Sequence, residues 1–250
     1  VKGEILFMRM YKRCIDMLNE TARDLLELGV ERKTRTMQDK VIKGNPEFDT
    51  KELINYSFCL TDWNDTGNLF KVPGTGPRVK KWADAEFQER IDPMPINPGD
   101  AWLLRKEIWE EFLHAGKFGY TYNERIQPQL EQIISILEND LNSRQAIMSI
   151  WNPRIDPVNV GEKRVPCSIF YHFIVTYVGE QPRLNIIYNM RSTDFVTHFS
   201  NDVYLALRML TYMAQRIRII PGWFYMNASS IHYYKKDEGK IKQFMQMGTL

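Results

Sequence analysis

Cysteine is scarce in this chain, and its placement excludes a disulfide framework. Cys14, Cys59 and Cys167 are scattered and odd in number, so a reducing compartment is expected. No CxxC or HxxxH spacing offers a metal site. Neither sign of charge dominates: 33 Lys and Arg against 31 Asp and Glu leave a net +2. Broad electrostatic attraction to nucleic acid is therefore not expected, although a few local arginines still suffice for one phosphate. No apolar run approaches the roughly 20 residues of a membrane span. The opening "VKGEILFMRMYKRC" lacks the apolar run and cleavage site of a signal peptide, and the expected location is the cytoplasm. Gly74-Thr75-Gly76 is not followed by Gly-Lys-Ser/Thr, which excludes a phosphate loop of that kind. No repeat, low-complexity segment or domain boundary interrupts residues 1–250, and that length fits one domain with a proper core.

What is present is a mixture of helical stripes and β-rich runs. Helical spacing covers Glu4 to Leu28, with Gly29 as a stop, then Val79 to Arg90, Ala101 to Leu113, Glu124 to Leu141 and Asn201 to Ile219. Trp82 and Phe87 are candidate core residues, and the stripe Ile126, Leu130, Ile133, Ile134, Leu137 and Leu141 reads as a core face. The proline-rich "IDPMPINPGD" ends the second helix. Residues Lys43 to Gly76 carry little signal, and their turn-rich pieces read as surface loops. Strands are expected at Ala146 to Trp151, Val165 to Val178, Leu184 to Asn189 and Trp223 to Tyr234. Strands and helices interleave without a strict βαβ period, so the expected class is α+β with a mixed sheet.

The chain is organised around Arg164 to Asp202. A proline-preceded cysteine opens "RVPCSIFYHFIVTYV"; the turn "GEQPR" follows, then "LNIIYNMRSTDFVTHFSND". Two neighbouring strands would bring Cys167, at the start of one, close to Arg191, at the end of the other. A thiol beside a guanidinium suits covalent chemistry on a phosphorylated substrate. His232 and Tyr234 are two apart on the last strand, so they share a face. His114 and His198 have no such support, and His172 reads as structural.

These residues resemble the thymidylate synthase family. That family carries a Pro-Cys nucleophile, an Arg-Ser-x-Asp segment, an Asn eight residues beyond that Asp and a later His-x-Tyr. The counterparts are Pro166-Cys167, Arg191-Ser192-Thr193-Asp194, position 202 and His232-Tyr233-Tyr234, while "NSRQAIMSIWNP" resembles the family's Ser-Arg-Arg strand. The likeness is dense from Gln127 to Tyr234 and thin before. At position 202 the synthase pattern fails: the uracil-reading Asn is Asp202. The segment is similar instead to the phage-type deoxycytidylate hydroxymethylase branch of the superfamily.

The resemblance implies a single thymidylate synthase-type domain whose sheet face is used for dimerisation. It implies Cys167 as the nucleophile toward C6 of the pyrimidine and Asp202 as the base-reading group. Arg191 and Ser192 would hold phosphate, Asp194 would belong to the nucleotide site, and His232 and Tyr234 would hold the sugar 3′-hydroxyl. An arginine of the N-terminal loop, Arg32 or Arg35, would add to the phosphate site. Arg144 would reach the phosphate of the partner subunit, with Gln145 at the second arginine position. Glu86, with Glu89 as competitor, would be the catalytic glutamate, and Trp109 the aromatic beside the transferred methylene. Synthases have a His after the Cys; here it is Ser168. The implied cosubstrate is 5,10-methylenetetrahydrofolate, with no metal, and the implied substrate is dCMP. The implied assembly is a cytoplasmic homodimer, in the host cytoplasm if the protein is viral. Water capture would give 5-hydroxymethyl-dCMP; the alternatives are a dCMP methyltransferase, a thymidylate synthase, a CMP hydroxymethylase or an inactive nucleotide- or RNA-binding relative.

Overall fold

Alternation along strands and stripes along helices each create one apolar face, and stacking those faces gives the architecture. The computed structural model of the chain describes residues 9–37, 40–41, 44–72, 74–157 and 163–247. In order these form β1 (Arg9–Tyr11), α1 (Cys14–Leu28), β2 (Val30–Arg32), β3 (Thr36–Met37), β4 (Lys40–Val41), β5 (Thr50–Leu60), α2 (Pro77–Arg90), α3 (Lys106–Trp109) and α4 (Tyr122–Asn139). Then come β6 (Ile147–Ser149), β7 (Ser168–Val178), β8 (Gln181–Met190), β9 (Thr193–Asp194), α5 (Ser200–Arg216), β10 (Ile220–Tyr234) and α6 (Glu238–Met247).

The main sheet runs β1-β5-β10-β8-β7-β6, with β2 on β5 and β9 on β10. It is mixed: β10 is antiparallel to β5 and parallel to β8, and β7 is antiparallel to both β8 and β6. The α+β expectation holds. β8 buries Leu184, Ile186, Tyr188 and Met190, and β10 buries Phe224, Met226 and Ala228. Phe58, Phe173, Phe195 and Phe199 fill the layer between sheet and helices. Truncating one of them, Phe58→Ala, costs about 3–5 kcal/mol in such a core. The other sheet face carries Ile174, Ile187, Trp223 and Tyr225, all half-buried.

α4 begins with a capping box: Thr121 Oγ1 accepts the Glu124 N–H and Glu124 Oε2 accepts the Thr121 N–H. Its stripe Ile126, Leu130, Ile133, Ile134 and Leu137 is buried as expected. At the β7–β8 hairpin Gly179 takes φ 61°, the left-handed position that a two-residue turn needs. Pro182, expected in the loop, is already paired with Tyr177. At Gly222 a Cβ would collide with Asn185 Oδ1, which accepts the Trp223 N–H.

Three expectations require correction. β5 lies within the stretch that carried little signal, yet it spans eleven residues and is paired on both sides, by β1 and β2 on one and β10 on the other. Two features hide it. Asn55 at φ 53° interrupts the alternation, and Thr50 and Glu52 are polar residues facing inward. The first helix starts at Cys14, because Arg9–Tyr11 pairs with β5 as a strand; Glu4 to Met8 lie outside the described residues. Ala101 to Leu113 is not one helix but a 3-10 turn (Ala101–Arg105), the single turn α3 and a second 3-10 turn (Glu110–Phe112). With the winding changed twice, both Trp102 and Trp109 meet Phe118, and Trp109 alone also stacks on Trp82.

Candidate active site

Because Ser168 pairs with Met190, the residues just outside that pair, Cys167 and Arg191, face one another, and the Arg191 N–H donates to the Cys167 carbonyl at 2.9 Å. The Arg191 guanidinium donates from Nε to Pro166 O at 2.8 Å and from Nη2 to Val165 O at 3.2 Å. Those bonds fix its plane, with Nη2 3.6 Å from Cys167 Sγ and Nη1 3.2 Å from Ser192 Oγ. Ser192 Oγ is 4.0 Å from the sulfur. Cys14 and Cys59 differ: both lie in the core, and burial pushes their thiols up. Cys167 opens onto the cavity.

That cavity holds about 980 Å³, the upper end of the range for ligand pockets, and large enough for two substrates side by side. Cys167, Arg191, Ser192, Asp194, Asp202, His232, Tyr234, Glu86, Glu89, Trp109, Arg32 and Arg35 all line it. Among the sequence-derived candidates only Arg144 stands apart, exposed at the far edge of the sheet. Its carbonyl meets His172 Nε2 at 3.1 Å, a structural contact for that histidine.

A π-helical turn, Phe195–Phe199, joins β9 to α5. Asp194 caps it by accepting the Val196 N–H at 3.0 Å, and Phe195, Val196 and Phe199 anchor it in the core. The extra residue per turn brings Thr197, His198, Asn201 and Asp202 to the cavity. Thr193 Oγ1 donates to Asp202 Oδ2 at 2.7 Å. Burial pushes the Asp202 carboxyl from the usual carboxylate range up to about 7, against the opposing pull of Thr193 and Arg90. Burial also raises Asp194 and lowers His232, each tempered by the other, so His232 is a neutral imidazole. Its ring meets that of Tyr234 at 5.6 Å, edge to face.

The two candidate glutamates differ in what occupies them. Glu89 Oε1 accepts the backbone N–H groups of Asp100 and Ala101 at 2.6 and 2.7 Å, clasping the loop. Glu86 Oε1 accepts Arg90 Nε at 2.9 Å. Burial works against the charge of Arg90, but Glu86, Tyr171 and Tyr122 outweigh it and keep the guanidinium protonated. Arg90 Cζ lies 3.8 Å from the Tyr122 ring centre, Tyr122 Oη is 3.0 Å from Ser168 Oγ, and Ser168 also bonds Tyr188. A polar chain thus joins Glu86 to Ser168, the residue after Cys167.

At another part of the cavity, Arg32 Nη1 is 3.7 Å from Glu52 Oε2, and Glu52 also accepts from Thr50 Oγ1 at 2.5 Å and Ser230 Oγ at 3.0 Å. Arg35 reaches the same cavity. Glu52, Arg90, Arg164, His198 and Asn201 were not legible as site residues. The first two sit on elements whose cavity-facing side no motif marks. Arg164 is three residues from Cys167, and His198 lies inside a motif without belonging to its pattern. Among the described residues, no cluster of His, Cys, Asp and Glu can hold a metal ion, and no helix is long and apolar enough to cross a membrane.

The sequence profile of the thymidylate synthase family matches residues 98–248. A protein of Methanococcoides burtonii named "Putative thymidylate synthase" is 29% identical over 139 residues, covering 53% of this chain and 61% of that one. A protein of the same name from Methanocaldococcus jannaschii is 27% identical over 208 residues, covering 82% and 85%. The "Deoxyuridylate hydroxymethyltransferase" of Bacillus phage SP01 is 23% identical over 200 residues, covering 79% of this chain and 43% of that one. The solved thermostable thymidylate synthase A of Bacillus subtilis superposes with a TM-score of 0.74 at 17% identity, over 93% of this chain and 84% of that one.

Proposed function

The chain belongs to the thymidylate synthase family, and on that premise we propose that it hydroxymethylates deoxycytidylate at C5, using 5,10-methylenetetrahydrofolate and water to give 5-hydroxymethyl-dCMP and tetrahydrofolate. The carrying observation is Asp202, which is held by Thr193 in the cavity shared with Cys167 and has its carboxyl raised to about 7. Attack of a thiolate on C6 drives electrons toward N3. Cytosine has no proton on N3 and must receive one as the sulfur adds; uracil already has one. A buried acid that still holds its proton near neutral pH delivers it, and its second oxygen accepts from the C4 amino group. One contact then selects the base and activates it.

The remaining residues take roles around that contact. Cys167 Sγ bonds to C6, and the Arg191 guanidinium at 3.6 Å faces the charge that the sulfur carries on arrival and departure. Arg191, Ser192, Arg32 and Arg35 take the phosphate, with Glu52 holding Arg32 in place. Asp194, His232 and Tyr234 form the side that takes the sugar. Glu86 is the glutamate with the catalytic role, since the carboxylate of Glu89 is engaged with backbone amides. The stacked rings of Trp82 and Trp109 suit the flat ring of a folate. When bound, that cosubstrate supplies the one-carbon unit. The product choice is supported by the name of the Bacillus phage relative. The exposed Arg144 and the half-buried sheet face with Trp223 and Tyr225 support a homodimer in which Arg144 completes the partner's phosphate site.

A second reading, deoxyuridylate, is favoured by the substrate in that relative's name; a neutral Asp202 can donate to O4 and accept from N3–H. The deciding experiment incubates enzyme and cosubstrate with [5-³H]dCMP or [5-³H]dUMP, follows tritium release and identifies the product by mass. The expectation is a preference for dCMP by a factor on the order of 10³ and a product one oxygen heavier than the methyl analogue. Equal use of dUMP overturns the cytosine assignment.

A further inference from the structure

The cavity wall beyond Asp202 is unusual in its polarity. Arg164 has no carboxylate partner among the described residues; instead its Cζ lies 4.4 Å from the ring centre of Trp109, 4.9 Å from Tyr120 and 5.4 Å from Phe112. Rings thus hold a cation whose N–H groups remain available. His198 stands beside the same tryptophan, ring centres 6.2 Å apart. Asn201, 1% exposed, donates to Thr197 O at 3.0 Å, while its Oδ1 is buried with no partner among the described residues; the same holds for Trp109 Nε1. All four side chains line the cavity. A buried unpaired acceptor and a buried unpaired donor in the wall of one cavity call for a polar occupant.

We propose that Arg164, His198, Asn201 and Trp109 hold the water that captures the methylene carbon on the nucleotide, so that this wall sets the hydroxymethyl outcome. The inference rests on the reading of the site given above. Once the carbon unit is on C5, loss of the C5 proton and departure of tetrahydrofolate as the leaving group give a ring that bears an exocyclic methylene and the sulfur on C6. The water oxygen bonds to the methylene carbon and the C=C pair moves into the ring toward N3, which takes the Asp202 proton. The proton of the water leaves to the solvent of the cavity. The ring pair then re-forms C5=C6, Cys167 departs as thiolate, and the N3 proton returns to Asp202. One water is consumed and one proton is released with the thiolate.

In this scheme His198 is an acceptor that orients the water rather than a base that keeps its proton. Burial, then Arg105 and Arg164, hold its imidazole neutral, down to about 3. Arg164 supplies the donor side.

The test separates the steps before water addition from that addition. His198→Phe keeps a ring and removes the acceptor; Arg164→Met keeps the contact with Trp109 and removes the donors. For both, nucleotide affinity by calorimetry and tritium release from [5-³H]dCMP are expected within about threefold of wild type, with 5-hydroxymethyl-dCMP formation down at least about tenfold. His198→Gln, which restores an acceptor, is expected to recover most of that product. Nucleotide affinity also reports that each variant is folded, and Arg164→Met stands if His198→Phe is not. Parallel loss of tritium release and product in a folded variant overturns this inference alone, because the wall then serves folate binding or an earlier step. A wild-type enzyme that releases tritium but methylates overturns both this inference and the hydroxymethyl reading.

Discussion

The two ends of the cavity are organised by different forces. Around Arg191 and Glu52, hydrogen bonds to backbone carbonyls and hydroxyls fix each charged group before any ligand arrives. Around Trp109, stacked rings do the positioning, and polar groups remain unpaired among the described residues. On the proposed function, the difference follows from what each end would take. A phosphate and a sugar are the same before and after reaction, so fixed dipoles can be aimed at them once. The reacting carbon changes from methylene donor to electrophile to alcohol, and a wall of rings with spare polar groups fits each stage.

Removing the thiol is the most severe way to break the first end. Cys167→Ser is expected to lower kcat by about 10⁴-fold or more while nucleotide affinity stays within about threefold, because the phosphate and sugar contacts remain. Calorimetry beside a rate assay checks it, and retention of a tenth of the rate excludes covalent addition through this residue. Asp202, between the two ends, should shift selectivity by less. Asp202→Asn is expected to move the dCMP-to-dUMP ratio of kcat/KM toward dUMP by about 10²-fold or more. Wild-type kcat/KM for dCMP should fall above pH about 7, where the carboxyl loses the proton it delivers; the Asn variant should lack that limb.

The glutamate pair sharpens the comparison. Glu86→Gln is expected to reduce kcat about 10²-fold, whereas Glu89→Gln should act mainly on stability, by about 1–2 kcal/mol, because it weakens the clasp on Asp100 and Ala101. Rate assays and thermal melts of both variants tell them apart, and the reverse pattern reassigns the role. Completion of the phosphate end by a second chain is tested by mixing Arg144→Ala with Cys167→Ala. Random pairing makes about half the dimers hybrid, each with one intact site, so activity near a quarter of wild type is expected. Full activity of a strict monomer in sedimentation excludes the shared site.

The smallest effect concerns stability. The Asp202 carboxyl is raised in the folded state to about 7 from an unfolded value near 4. Below pH about 4 both states hold the proton. As pH rises toward about 7 the unfolded chain releases it first, so the folded state is progressively disfavoured. Asp202→Asn should therefore gain on wild type across that window by on the order of 2 kcal/mol, discounted for the solvent in the cavity. Denaturant titrations at pH 4.5 and 8, both about these values, measure the difference; an equal gap at the two pH values overturns it.

Sequence alone settled the parts of this protein whose chemistry is local. The β-branched and aromatic runs expected at Val165 to Val178 and Leu184 to Asn189 fall on β7 and β8, because alternation fixes which side chains turn inward. The stripe on α4 is a core face for the same kind of reason. The order Pro-Cys, Arg-Ser-x-Asp, His-x-Tyr marks residues that line one cavity. The tertiary structure decided whatever depends on neighbours distant in the chain. β5 is a strand because β10 and β1 pair with it, although its polar positions and Asn55 obscure the pattern. Arg32 gains a partner only when Glu52 is folded beside it. His198 and Asn201 reach the cavity only through the π-helical turn, and Arg164 finds its rings only once Trp109 and Tyr120 converge on it. Burial is a property of the assembled core, so the raised carboxyl of Asp202 could not be read from an aspartate in a string.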